Sequence, residues 1–492
     1  MAKNYTEEER KLLRPRYRMV FLGTMFLVCM FDFADRSVFN VTARTIAVEF
    51  GLSDLQIGLL SGIMFAALYS FVGIPIGRLA EHHSRVRIVS VCTGIWSAAT
   101  IWCGMATSFV TLAIGRVGVG FGEAGFMGPA NSLNSDHHSS DKRTSRMSLI
   151  LLGTPVGVFL GATIGGWAAD PEVWGNWRIA YWILGAGGLM TAALVWLVLK
   201  EPARGLVDDM PRSPKPPPKF GVFLKMVFTK RSLMFVIIGG SFASIGMSSI
   251  SNFMAIFLER FHQLPAREAG PLFGTISAVS LAIGLLVGSF GSDFLAKHDK
   301  RWWTWGPAIG LTCAPIVYFF AFSAGSQAAA TALLILGGAT LLLFYGPTVG
   351  MIQNLVEPKM RATGAAVYSM LYAMIGYGFG PPFVGFMSDR MASAAFTEGA
   401  FGASCPGGVA PEGSSAVLID ACASASAAGI QRALMIAVCV FFLAAVSYLL
   451  ASRTLRSELY APDATPEGAS GDADAVSAAA STAQSNTPKP AE

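Results

Sequence analysis

Residues 19–43 run MVFLGTMFLVCMFDFADRSVFNVTA. About 20 apolar residues span the hydrocarbon core of a bilayer, and this run has that length. Inside lipid every backbone amide must bond within its own segment, so the run must be a helix. It nevertheless carries Asp32, Asp35 and Arg36. Ionisable side chains within a span are costly and by default mark function.

Runs of the same kind fill the rest of the chain. Of 492 residues, 53% are hydrophobic and 14% charged, where a soluble domain carries about 25% charge. Further spans are expected at 55–80, 86–107, 109–134, 147–169, 177–199, 232–258, 269–296, 303–324, 328–355, 362–388 and 431–452. The chain therefore reads as an all-α membrane protein with twelve transmembrane helices. Its 53 glycines suit closely packed membrane helices. The net charge of +5 could suggest nucleic acid, but the Lys and Arg residues fall in alternate gaps between spans. They begin with Arg10, Lys11, Arg14, Arg16 and Arg18 and end with Arg453 and Arg456, while the opposite gaps are nearly bare. Both termini are thus expected on the cytoplasmic side of the inner (plasma) membrane. Trp167, Trp174, Trp177 and Trp182 are expected at the outer interface.

Residues 1–18 form a cytoplasmic N-terminus, and 19–199 and 232–452 form two six-helix halves. Between them 200–231 holds Pro211, Pro214, Pro216, Pro217 and Pro218, which predicts a stiff, non-helical cytoplasmic linker. Residues 391–430 form an extracytoplasmic loop, and the polar stretch 453–492 a disordered cytoplasmic tail. The halves look like repeats. Gly128-Pro129 is followed by Arg143, and 218 residues further on Gly346-Pro347 is followed by Arg361. Ala80-Glu81 after the second span is echoed by Ser292-Asp293 after the eighth. Two halves related by an axis along the membrane normal are a layout of secondary transporters, with the site between them near the midplane.

Nearly all the intramembrane charge lies in the first half: Asp32, Asp35 and Arg36 in span one, Arg116 and Glu123 in span four. At 1.5 Å rise per residue, Glu123 lies near the midplane and Asp35 and Arg36 roughly 8–9 Å outside it. Arg116 comes at the depth of Asp35, so it can pair with Asp35 or Asp32. Three acids against two bases leave one carboxylate without a partner, as a proton carrier requires. The alternative is a set of charges that only neutralise one another and hold helices together. The second half offers an apolar wall, with Tyr345, Tyr368 and Tyr372, suited to a greasy tail. Glu81 with Arg78, Arg85 and Arg87, together with Asp293, can form an ion-pair latch at the cytoplasmic gate; topology alone also accounts for these arginines. The glycines of span five, Gly153 to Gly166, permit tight packing or gating. His82, His83, His137 and His138 are expected to be solvated. Cys405 and Cys422, together in a polar loop, are the candidate disulfide if that loop faces an oxidising space. With no CxxC or Cys/His cluster, no metal or cofactor is expected.

These motifs resemble the major facilitator superfamily along the whole chain. Gly77 to Arg87 resembles its motif between helices two and three, with Glu81 where Asp is usual, and Asp293 fits the echo. Arg116 with the following glycines resembles the helix-four motif. Gly153 to Gly161 resembles the antiporter motif of helix five, with Thr154-Pro155 in place of Gly-Pro. Within the superfamily the chain resembles the Spinster family of lipid transporters, as a prokaryotic member. The resemblance rests on Asp35-Arg36 followed by Asn40, and on the Gly-Arg-x-x-x-Gly-x-Gly-Glu-Ala run from Gly115 to Ala124. It implies transport of sphingosine 1-phosphate or lysophospholipids, with Asp35, Arg36 and Glu123 as the functional charges.

The reading that follows is a monomeric, proton-coupled secondary transporter of an amphipathic anionic lipid, working by alternating access. Arg36 binds the head group, Glu123 and Asp35 carry the proton, and Asp32 and Arg116 support them. A multidrug or organic-anion antiporter on the same fold and a non-transporting membrane sensor are the rivals. An enzyme is not expected, since no nucleophile–base pair is visible.

Overall fold

A computed structural model describes residues 6–139, 142–207, 220–356 and 360–459. Among the described residues, eleven helical stretches are long and apolar enough to cross a membrane. They are α1 (Pro15–Phe50), α2 (Asp54–His82), α3 (Arg85–Gly104), α4 (Phe109–His137), α5 (Ser145–Ala169), α6 (Arg178–Val198), α7 (Arg231–Phe261), α8 (Ala266–Ala296), α9 (Trp302–Ser323), α10 (Gln327–Leu355) and α12 (Ala416–Glu458). The twelfth long helix, α11 (Arg361–Ala395), contains Pro381-Pro382. The start of α1 and the end of α12 share one face of the bundle, called here the terminal face.

Local chemistry sets the helix ends. Gly51, in the left-handed region at φ 64°, terminates α1, where glycine carries no Cβ penalty. Ser53 and Gln56 form a capping box that starts α2. The side chains of Ser84, Ser108 and Ser415 accept amide N–H groups in the first turns of α3, α4 and α12 and so cap them. Kinks then shape the interior. α2 breaks at Gly62, where a Cβ would collide with the carbonyl of Tyr377 and the ring of Pro382. α4 breaks immediately after Glu123, and α10 at Leu343-Phe344.

Glycines decide which helices lie close. Gly153, Gly157, Gly161 and Gly165 of α5 form a row along α1, and a Cβ on Gly161 would stand 2.7 Å from the Ala34 Cα. The row packs α5 onto α1 and so fixes how α1 is rotated. Between the halves, Gly166 of α5 lies against Gly270 of α8, and Gly58 of α2 against Pro381-Pro382 of α11.

Several sequence expectations need correction. The 200–231 linker is not non-helical throughout: Phe220–Thr229 is a helix. It follows the last proline, and its Met226 and Val227 pack on the core. Pro211 to Pro218 and residues 460–492 lie outside the described residues. The 391–430 segment is not simply a loop, because α12 begins at Ala416 rather than near 431. Residues 416–430 are rich in alanine, the best helix former, and Ser415 caps them. His137 and His138 are buried at 1% and 4% exposure, because α4 continues far enough to press His137 onto Phe21, ring centroids 4.4 Å apart. Burial holds His138 below the usual imidazole range. Of the four tryptophans, Trp177 does not face outward but is buried in the bundle, donating its Nε1–H to Glu49 at 2.6 Å.

Candidate functional site

A cavity of about 500 Å³ lies between the halves. α1, α2, α4 and α5 supply one wall, with Asp32, Arg36 and Arg116; α7, α8, α10 and α11 supply most of the other, with Tyr345, Tyr368 and Tyr372.

Arg36 is the centre of the first wall. Its Nε donates to Glu123 Oε2 at 2.7 Å, its Nη2 stands 2.7 Å from the same oxygen as an ion pair, and Nη2 donates to Asp32 Oδ1, one turn back on α1, at 3.4 Å. Phe33, Phe65 and Tyr69 surround the guanidinium, with ring centroids 5.0–5.2 Å from Cζ, an arrangement in which the ring faces attract the cation. The Glu123 side chain is fully buried and its Oε1 has no hydrogen-bond partner among the described residues. Depth counted along the sequence separates Arg36 from Glu123 by roughly 8–9 Å. That count errs because α1 runs from 15 to 50, which moves its centre toward Arg36, and because an arginine stem spans the remaining gap.

Arg116 pairs with Asp35 rather than Asp32, Nη1 to Oδ2 at 3.8 Å, a separation too long for a hydrogen bond. Asp35 is instead held by Thr100 of α3, which donates to Oδ1 at 2.7 Å. The residues read from the sequence as the charge network thus come together as two neighbouring clusters, Arg36 with Glu123 and Asp32, and Arg116 with Asp35, the second reaching the cavity through Arg116. Sequence reasoning misses Thr100, Phe65 and Tyr69; none has a composition signal, and only the folding of α2 and α3 around α1 selects them.

The two faces of the cavity differ. At the end remote from the terminal face, the dipeptide Glu259-Arg260 of α7 reaches two helices of the first half. Arg44 of α1 donates to Glu259 at 3.4 Å, and Arg260 grips Asp54 of α2 with two bonds of 2.6 and 2.8 Å. Ser388 donates to the same Asp54 at 2.6 Å, and Asp389 accepts the Asp54 and Leu55 amides at 2.9 Å. Arg267 of α8 binds Asp170 after α5 at 3.2 Å. This clasp closes that end. The Glu259-Arg260 pair is visible in the sequence as charge at a span end; its partners are not.

The residues expected to latch the terminal face are not brought together. Arg85 is fully buried, bonded to Asp136, to Ser132 at 2.8 Å and to Glu201 at 2.7 Å. It ties the start of α3 to the end of α4, because Glu201 and Asp136 reach it before Glu81 can. Glu81 and Arg78 are exposed, and Arg87 lies over Trp196 at 5.9 Å. Asp293 accepts from Trp303 Nε1 at 3.1 Å. With the opposite end clasped, these groups stand apart. Cys405 and Cys422 are joined by a disulfide, Cα atoms 5.7 Å apart.

Comparison with known proteins agrees with this architecture. The crystal structure of a bacterial homolog of the human lysosomal transporter Spinster, inward-facing and unoccupied, matches with a TM-score of 0.81 at 31% identity, covering 91% of this chain and 100% of that one. An MFS-type efflux pump of Mycolicibacterium smegmatis is 29% identical over 378 residues, 77% of this chain and 86% of the pump. The sphingosine-1-phosphate transporter SPNS2 of Danio rerio is 24% identical over 409 residues, 77% of this chain and 78% of that protein. The Major Facilitator Superfamily model matches residues 25–381. With twelve long helices among the described residues, a charged cavity between the halves and this breadth of match, the chain belongs to the major facilitator superfamily of membrane transporters, in its Spinster-like branch.

Proposed function

We propose that this transporter moves a single-tailed anionic lipid, of the lysophospholipid or sphingosine 1-phosphate kind, across the plasma membrane in exchange for or together with protons. Both termini lie in the cytoplasm, following the positive charge of the terminal face. The observation that carries the reading is Arg36, a permanently charged fork held at a cavity wall by Glu123 and Asp32. Such a fork suits phosphate. A phosphate that takes Arg36 must displace a carboxylate. Glu123, buried and deprived of its arginine, is then costly to keep charged and takes a proton. When the phosphate leaves, Arg36 returns and the proton is released. Asp35, held by Thr100 and near Arg116, is the second proton site of this scheme. The opposite wall, with Leu281, Leu285 and the tyrosines, takes the tail, each buried methylene contributing about 0.8 kcal/mol. The likeness to a sphingosine-1-phosphate transporter supports the same class.

The test is flux and binding in proteoliposomes with a series of lysolipids of increasing acyl length. Affinity should rise with length up to the limit of the cavity and fall at least tenfold in Arg36→Ala, the worth of about 1.4 kcal/mol. Affinity independent of tail length, or indifferent to Arg36, would instead favour efflux of amphipathic drugs or organic anions, the reading supported by the efflux-pump relative. Binding without any flux would make the protein a sensor.

A further inference from the structure

Two asparagines near the clasped end of the cavity belong to neither charge cluster. Asn40 of α1 and Asn252 of α7 both line the cavity, at 7% and 6% exposure. They stand ten and nine residues before the ends of their helices. Asn252 follows Asn40 by 212 residues, the interval that also separates Ala80-Glu81 from Ser292-Asp293. The two are therefore counterparts in the repeat, one from each half. At the same interval Asp32, Asp35 and Arg36 correspond to Ser244, Met247 and Ser248. The charges belong to one half, whereas both halves carry the amide.

Neither amide is used up by the protein. Among the described residues Asn40 has no side-chain hydrogen bond, and Asn252 donates only to the Ser248 carbonyl one turn back, at 2.8 Å. A carboxamide offers two donors and an acceptor, so both side chains keep hydrogen-bonding capacity for a ligand in the cavity they line. Asn40 is four residues beyond Arg36, so the two share a helix face about 5–6 Å apart. Asn40 lies on the clasped side of Arg36, while the apolar lining continues past Leu151, Leu281 and Leu285 toward the terminal face. A lipid phosphate on Arg36 with its tail among those leucines directs whatever lies beyond the phosphate at the two asparagines.

We infer that Asn40 and Asn252 form a subsite for the head-group alcohol of a phosphodiester, so that the substrate is a lysophospholipid bearing a polar head, such as glycerol, rather than a bare phosphate monoester. The inference rests on the lipid reading above and narrows its substrate class. The hydroxyls of such a head group are both donors and acceptors, as the carboxamides are.

The experiment measures dissociation constants of the full-length purified protein for palmitoyl lysophosphatidylglycerol and palmitoyl lysophosphatidic acid, which share a tail and a phosphate. The wild type should prefer the glycerol diester by roughly tenfold, the worth of one or two hydrogen bonds. Asn40→Leu and Asn252→Leu should each reduce that ratio, and the double variant should bring it near one. Binding of the monoester reports whether each variant retains a folded site; where a leucine variant binds neither lipid, Asn40→Ala and Asn252→Ala carry the comparison. Equal affinities in the wild type, or a preference that survives in the double variant, overturn the subsite and leave the lipid reading standing. Failure of the wild type to bind either lipid overturns both.

Discussion

Arg36 is shared by two carboxylates of unequal strength. Glu123 takes two contacts of 2.7 Å on one oxygen, while Asp32 holds a single contact of 3.4 Å. Removing one partner from a buried ion pair strands the other charge, which is strongly destabilising, whereas a neutral isostere can keep the shape and one hydrogen bond. Glu123→Gln is such an isostere. It should fold, leave Arg36 with Asp32, and abolish uptake driven by a proton gradient while passive exchange of bound lipid persists. Proteoliposome uptake with and without the gradient reads this directly, and driven uptake at the wild-type rate would remove Glu123 from the proton path. At the same scale, part of the site is plain in the sequence. A charge inside an apolar run needs an explanation whatever the fold, so Asp32, Asp35, Arg36, Arg116 and Glu123 stand out together. Thr100, Tyr69 and Phe65 do not, because a threonine or an aromatic ring in a span is ordinary until its neighbours are known.

At the scale of the helix, two packing devices carry consequences. The first is the glycine row of α5. A side chain at Gly161 would be driven into the α1 backbone at Ala34, and overpacking of that kind costs about 1–3 kcal/mol. Gly161→Val should therefore lower the unfolding temperature of the purified protein and weaken transport. Gly23→Ala, at a glycine where an added Cβ would meet nothing within 4 Å, should do neither. The second device is the clasp formed by Glu259 and Arg260. The Arg260 and Asp54 side chains are 5% and 6% exposed, so losing the arginine leaves a buried carboxylate without its cation, at a cost of about 3–5 kcal/mol to the clasped state. Arg260→Ala should shift the population toward states open at that face. A cysteine placed at Ser251, on the cavity wall, should then react several-fold faster with a membrane-impermeant maleimide applied from that side, and an unchanged rate would mean the clasp does not hold the gate.

For the molecule as a whole, the disulfide and the charge distribution bear on orientation independently. Cysteine pairs persist in oxidising compartments and are rare in the reducing cytosol. The Cys405–Cys422 bridge ties the segment between α11 and α12 to the first turns of α12, on the face opposite the termini. If the termini are cytoplasmic, protein taken from membranes and denatured without reductant should show five reactive thiols, rising to seven on reduction. Seven from the outset would contradict both the bridge and the proposed orientation. Alternating access supplies the frame for the rest. The groups read as a terminal-face latch stand apart while the opposite clasp is formed, as one conformation of a two-faced gate requires.

The sequence by itself determined the twelve membrane helices, the division into related halves and the residues that must be explained, because the cost of charge and of unpaired backbone in lipid acts on each segment separately. Only the tertiary structure decided the pairings: Arg36 with Glu123 across α1 and α4, Arg85 with Asp136 rather than Glu81, Glu259 and Arg260 with Arg44 and Asp54. Hydropathy has no term for how a helix is turned about its own axis. That rotation, with the kinks at Gly62 and after Glu123, is set by where glycines let neighbouring backbones meet. It selects which side chain faces which, and therefore which charges become a site and which become a clasp.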